Sequence, residues 1–411
     1  MAIAGLHTPI IKSAALARVL ATWQFYCLFG FFLTLALPNE INVIFLITSS
    51  VIAVLVNPIG PLLESTWKDR LFKFVVLYFV LIIASYLRDS DTSSFFSALE
   101  RRYPIVVLPV VFMSLSLSQK QTSLLLKAFL ISVIAAIVAS LVAVYTNVYW
   151  NSFNLKYFSW ELSQNTIIPS NYLAMYTGFA LVIAVHDWGR WKLSGKAFNF
   201  SSSAIFFSFL LLSGARMPFL ATMVTLALLG FAGQRSKGKL RFVPLLVVAA
   251  TSVLSIVFVP YLRQKFTNLI SKDEPRYYQF KAAAKLISHE PILGYGPQGS
   301  EEALVQQYQS MGFELGVAER FNAHNEFLQM ALVMGIPAGA VLIVVLILFY
   351  KKAASQKNFL PIAFLIMLLL MLMVEVVLLR VKGVIFFAGF MSFFLFTKAR
   401  PDLGFDARTE N

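Results

Sequence analysis

Residues 322–352 read NAHNEFLQMALVMGIPAGAVLIVVLILFYKK. The stretch opens on polar residues around His324, continues through apolar ones and closes on Lys351 and Lys352. A helix needs about 20 mostly apolar residues to cross a bilayer, and 324–350 provides them. One end is hydrated and the other basic, as the two faces of a membrane are marked. The same apolar pattern recurs over 18–37, 41–56, 72–87, 103–118, 122–146, 168–186, 199–214, 217–233, 242–260, 358–379 and 382–398. The reading is an all-α polytopic membrane protein of about 12 transmembrane helices.

Composition points the same way. Of 411 residues, 58% are hydrophobic and 13% charged, and the mean hydropathy is +0.74. A soluble globular chain has about 45–50% apolar and 25% charged residues. A soluble enzyme, a disordered chain and a collagen-like fibre are therefore excluded. The first window leads straight into the second without a small-residue cleavage site, so it is expected to stay as a helix. Residues 1–411 read as a single integral membrane domain without internal repeats. The single cysteine, Cys27, allows no intramolecular disulfide.

The net charge is +14. On a soluble protein this would point to nucleic acid; here basic inner loops account for it, and no nucleic-acid partner is expected. With both termini inside, the inner loops hold 20 basic residues against 7 in the short outer ones. The run QRSKGKLR at 234–241 is the strongest single marker. This orientation puts the 63-residue segment 261–323 outside. Loops longer than about 12–15 residues tend to be functional or disordered. This one carries an amphipathic helix over 276–287, with Phe280, Ala283, Ala284 and Ile287 on one face and Lys281 and Lys285 on another. Asp273 suits its N-cap, Pro275 its first turn, and Pro291 stops it.

The outer basic residues carry the chemistry. Arg88, Arg101 and Arg102 flank the third and fourth spans, and Arg216 sits in a tight turn between two apolar runs. Arg276 begins the outer helix, Arg320 precedes the His324 span, and Arg380 and Lys382 separate the last two spans. An arginine at a membrane boundary snorkels, pairs locally or binds an anion. Its planar fork matches phosphate oxygens, so several together suggest a pyrophosphate-bearing lipid. His324 stands at the first turn of its span, where Asn322 can cap the helix and the positive helix end disfavours protonation. A neutral imidazole there is competent as a general base; a hydrogen-bonded interfacial histidine is the plainer alternative. His7 and His186 lie at inner ends, and His289 suits a helix C-terminus. Glu375, inside the 358–379 span, is a functional candidate as an intramembrane carboxylate, with Arg380 or Lys382 as ion-pair alternatives. Asp89 and Asp91 form a D-x-D that reads as a solvated pair rather than a metal site. GYGPQG, Gly294 to Gly299, fits a nucleotide-binding fingerprint in letters only, since no strand precedes it. A turn with backbone N–H groups facing an anion stays open.

Three stretches carry a resemblance: SGAR at 213–216, PRYYQFKAAAKLISHEPILGYG at 275–296 and NAHNEFLQMALVMGIP at 322–337. With these the chain resembles the O-antigen ligase and polymerase superfamily, and within it the O-antigen ligases. The resemblance implies a GT-C-like, all-helical glycosyltransferase of the Gram-negative inner membrane with its active site facing the periplasm. It implies transfer of a polysaccharide from undecaprenyl pyrophosphate to a lipid A–core sugar hydroxyl, with inversion and without metal or cofactor. By similarity, Arg216 and Arg276 contact the donor pyrophosphate and His324 is the catalytic histidine. Arg88, Arg101, Arg102, Tyr277, Arg320, Asn325, Glu375 and Arg380 are candidates for donor or acceptor binding. An O-antigen polymerase or a protein O-oligosaccharyltransferase would use the same logic with another acceptor. A transporter of lipid-linked or anionic solutes is the rival from another class; it calls for repeats, of which this sequence shows none, and for mid-membrane charges, of which it offers few.

Overall fold

The computed structural model describes residues 9–11, 13–88, 92–147, 161–162, 164–187, 193–232, 275–356 and 358–399. The expected 242–260 span, the basic run at 234–241, Asp89, Asp91 and Asp273 lie outside them.

Two helices form the centre. Ser170–His186 buries every residue from Tyr172 to Ala184, and Val381–Leu395 buries every residue from Lys382 to Phe393. Helices apolar all round belong in the interior of a bundle. Tyr176 stacks on Phe386 with ring centroids 4.6 Å apart, and Phe179 meets Phe390 edge-on at 4.8 Å. The Tyr176 hydroxyl donates to the Lys382 carbonyl at 2.7 Å. These contacts fix the register of the pair, and with it the chain segments at its ends.

The surrounding helices invert the pattern of a soluble bundle. Ile44, Ile47, Val51 and Val54 of Asn39–Val56 face outward, as do Ile343 and Ile347 of Ile336–Ala354. Polar groups turn inward: Asn42 is buried and donates to the Phe31 carbonyl at 2.7 Å. The buried Ser132 hydroxyl accepts from the Ala36 N–H at 3.0 Å. Apolar rims and inward-turned polar groups suit hydrocarbon surroundings. Among the described residues, five helices are long and apolar enough to cross a membrane: Ala14–Leu33, Asn39–Val56, Gln119–Thr146, Lys196–Ser213 and Ile336–Ala354. Arg216–Gly230, Leu360–Leu372 and Val381–Leu395 are shorter apolar helices. The architecture is that of a polytopic helical membrane protein.

Three expected spans are built differently. Residues 103–118 contain only Pro104–Met113, about 15 Å long by helical rise, directly after the helix Thr92–Arg102. The 324–350 span breaks at Gly335, φ +85°, into Glu326–Met334 and Ile336–Ala354. The 358–379 span stops at Leu372; residues 373–380 form a bend with one 3-10 turn, Val377–Leu379.

One end of the bundle is closed by an Asp69–Lys352 ion pair. The ammonium of Lys352 also lies over the Phe396 ring, and Ser116–Leu117 pairs with Lys398–Ala399 nearby. The helix Arg70–Tyr86 leads to the other end. There Arg88 donates to the carbonyls of Leu293 and Gly294 at 2.7 and 3.0 Å.

At that end Pro275–His289, Pro297–Ser310 and Glu314–Ala318 enclose their own small core, including Ala282, Ala283, Leu304, Tyr308 and Phe313. Burial pushes the Tyr308 phenol above its ordinary range, so it stays a neutral core group. The Pro275–His289 helix buries Gln279, Ala282, Ala283 and Leu286, not the expected Phe280–Ala283–Ala284–Ile287 stripe. It is covered by both Pro297–Ser310 and Glu326–Met334, and the paired alanines admit that close approach. The GYGPQG turn docks on the Gly335 break. Tyr295 and Gly296 N–H groups donate to the Leu332 and Val333 carbonyls at 2.7 and 3.0 Å, and Ile336 N–H donates to the Pro291 carbonyl at 2.8 Å. Those turn N–H groups are therefore spent within the protein and do not face an anion. A Cβ at Gly335 would strike the Ile292 carbonyl.

Candidate functional site

Three consecutive residues grip the 373–380 bend. Asn325 Nδ2 donates to the Met373 carbonyl at 2.8 Å. Glu326, fully buried, accepts from the Leu378 N–H at 2.8 Å. Between them in space, His324 Nδ1 lies 3.7 Å from Glu375 Oε1. Glu375 therefore sits in the bend rather than inside a helix, and it meets His324 rather than Arg380 or Lys382. The buried Lys382 ammonium donates instead to the carbonyls of Leu35 and Leu37, capping the chain end that leaves the Ala14–Leu33 helix.

His324 lies just ahead of its helix. The cap is Asn325, whose Oδ1 accepts from Leu328 N–H at 3.0 Å, not Asn322. Asn322 Oδ1 accepts from the His324 N–H at 2.8 Å. The backbone of His324 is left-handed, φ +42°, and that of Arg320 is φ +48°. Such conformations cost about 1–3 kcal/mol each and persist where the surroundings over-determine them. Here the fixing groups are Asn322, the Asn325 cap and Gln329, whose Oε1 accepts from Ala323 N–H at 3.0 Å.

Two cavities open beside this arrangement. The larger, about 420 Å³, is lined by Asn171, Tyr172, Arg320, His324, Glu375 and Arg380, among others. The smaller, about 210 Å³, is lined by Arg216, Arg276, Gly214 and Pro218, and again by Asn171 and Glu375. Arg216 reaches it because the chain turns at Gly214, φ +60°, and restarts as a helix at Arg216. Arg276 reaches it from the first turn of the outer helix. Asn171 and Glu375 form the shared wall, and Asn171 Nδ2 donates to Glu375 Oε2 at 3.2 Å. One compartment thus offers the Arg216 and Arg276 guanidinium groups and the next the His324 imidazole beside Arg320 and Arg380, so cation and base stand in adjoining cavities.

The structure thus brings together Arg216, Arg276, Arg320, His324, Glu375 and Arg380. It sends the other candidates elsewhere. Arg88 holds the 293–294 turn, and Arg101 Nε donates to the Ser97 carbonyl of its own helix at 3.0 Å. Arg102 is buried with its guanidinium over the Tyr86 ring, 5.2 Å from its centroid. Tyr277 is exposed beneath the Lys281 ammonium. Asn325 uses both ends of its amide on backbone groups. Among the described residues, no three His, Cys, Asp or Glu side chains cluster as a metal site requires.

Residues 201–343 match a family model described as O-antigen ligase. The match covers about a third of the chain, which over that stretch is similar to the O-antigen ligase family. No curated protein matches the chain. The family implies a glycosyltransferase-like membrane enzyme of the ligase and polymerase superfamily. Within the matched segment lie Arg216, Arg276, Arg320 and His324. Asn171, Glu375 and Arg380 lie outside it, and the fold carries them in.

Asn171 escaped the sequence reading. It follows Pro169 and Ser170 at the start of an apolar run, where a polar residue reads as an ordinary helix beginning. Tyr172, whose hydroxyl donates to the Val376 carbonyl at 3.2 Å, looked like one more interfacial aromatic.

Proposed function

We propose that this protein is an O-antigen ligase. It moves a polysaccharide from an undecaprenyl-pyrophosphate carrier to a sugar hydroxyl of lipid A–core, at the periplasmic face of a Gram-negative inner membrane. In this reading residues 1–411 form one integral domain of twelve spans with GT-C-like organisation, both termini are cytoplasmic, and segment 261–323 is periplasmic. The observation that carries the reading is the pair of cavities divided by Asn171 and Glu375, with Arg216 and Arg276 on one side and His324, beside Arg320 and Arg380, on the other.

The donor pyrophosphate lies against Arg216 and Arg276, whose charges stabilise the negative charge that builds as the glycosidic bond breaks. The acceptor hydroxyl lies in the larger cavity, and His324 takes its proton as the oxygen attacks the anomeric carbon. Attack from the side opposite the leaving group inverts that carbon. The arginines carry the charge, so the reading invokes no metal or cofactor.

The test is transfer by purified protein in detergent, with lipid-linked polysaccharide, O-antigen-free lipopolysaccharide and EDTA. His324→Ala is run beside the wild type. A banded lipopolysaccharide ladder from the wild type alone is expected. Longer lipid-linked chains without a ladder would make the protein a polymerase. No product from folded protein and intact substrates would overturn the enzyme reading in favour of transport.

A further inference from the structure

We infer that Glu375 is a positioning residue for His324, fixing which ring nitrogen is free, and that Asn171 holds the Glu375 carboxylate in turn. The inference rests on His324 acting as the general base, as proposed above. The family match bears on neither Glu375 nor Asn171, since both lie outside 201–343.

The carboxylate has a partner on each oxygen. Oε1 lies 3.7 Å from His324 Nδ1, and Oε2 accepts from Asn171 Nδ2 at 3.2 Å. The Glu375 and His324 side chains are only 16% and 28% exposed, so water competes weakly for their contact, whereas the bond from Asn171 lies at an exposed residue. A separation of 3.7 Å is an ion-pair distance, and such contacts commonly tighten once substrate is bound. The imidazole is held from other directions as well. Phe321 meets it edge-on with centroids 5.8 Å apart, and its backbone is pinned by Asn322. With a carboxylate facing Nδ1, that nitrogen keeps its proton and Nε2 presents a lone pair.

Other charged or titratable groups face the same cavity. Glu319 and Arg320 come from the chain preceding His324, Tyr172 from the central helix and Arg380 from beyond the bend. Arg320 is paired with Glu301 at 2.6 Å. Arg216 and Arg276 lie past Glu375 in the smaller cavity. Among the described residues, Glu375 supplies the carboxylate within ion-pair reach of the ring.

The step balances. The acceptor oxygen bonds to the anomeric carbon, and its proton passes to His324 Nε2. The bond from that carbon to the phosphate oxygen breaks, and its electron pair leaves on the pyrophosphate. The imidazolium that forms is stabilised by the Glu375 charge.

The experiment measures kcat and the KM for each substrate for Glu375→Gln, Glu375→Asp and Asn171→Ala, with His324→Ala alongside. The Glu375 carboxylate orients the ring and faces the imidazolium that forms during transfer, so Glu375→Gln should lower kcat about 10–100-fold while donor KM stays put. Glu375→Asp, which keeps the charge, should recover part of kcat. Asn171→Ala should lower kcat a few-fold, and it remains informative if Glu375→Gln does not fold. A wild-type kcat in folded Glu375→Gln, no recovery in folded Glu375→Asp, or a loss read only in donor KM, overturns the inference. Transfer by His324→Ala would instead overturn the general-base reading beneath it.

Discussion

The two ends of the helix bundle treat charge in opposite ways. At one end Lys352 is paired with Asp69 and laid over Phe396, and two short strands tie the chain down. At the other, Arg216 and Arg276 share one cavity with Glu375 while His324, Arg320 and Arg380 face the next. Neutralised charge closes the first end and is part of stability. The second gathers guanidinium groups, an imidazole and a carboxylate around two cavities, the arrangement on which the proposed donor site rests.

Substitutions at the two ends should therefore separate cleanly. The largest expected effect is at the open end. Arg216→Ala or Arg276→Ala should each lower kcat by about 10²–10³, equivalent to about 2.7–4 kcal/mol of transition-state stabilisation, with an unchanged melting midpoint. A melting loss without a kcat loss would erase the contrast. Arg276→Lys should sharpen it: an ammonium is a point charge rather than a fork, so activity should stay about tenfold below wild type. Full transfer by that variant would count against bidentate contact. Gly335→Ala probes the joint between the two regions. Its φ of +85° alone costs a side chain about 1–2 kcal/mol, and the Ile292 carbonyl blocks the added carbon. Faster proteolysis within 275–323 and a lower melting midpoint are expected. The smallest effect belongs to the closed end. Asp69→Asn keeps the helix cap but removes the ion pair, so stability should fall by about 1 kcal/mol with transfer unchanged.

The open end was partly legible from its residues. Arg216 stood out because its turn leaves no room for a casual charge, and His324 because it marks the wet end of a span. Glu375 drew notice as a carboxylate among apolar residues, yet the ion-pair alternatives the sequence offered for it, Arg380 and Lys382, are near neighbours in the chain. A one-dimensional pattern offers Arg380 and Lys382 first; Tyr172 and Tyr176 tie the 376–382 chain to the central helix and bring Asn171 to Glu375. The helix breaks were hidden for a related reason. Residues 373–374 and 376–379 are as apolar as the helix before them, so hydropathy runs on where the backbone stops. Only the hydrogen bonds that Asn325 donates to the Met373 carbonyl and Glu326 accepts from the Leu378 N–H show what holds the bend.

Apolar content and the placement of lysine and arginine determined the class of this protein, because a bilayer sorts residues by transfer free energy before any contact is made. They also indicated which end would hold the chemistry. The tertiary structure alone decided which charges share a cavity and that Glu375 belongs to His324. It also decided that Arg88 and Arg102 stand apart from these cavities. Those outcomes depend on which helices pack side by side, a relation between residues up to two hundred positions apart that no local pattern encodes.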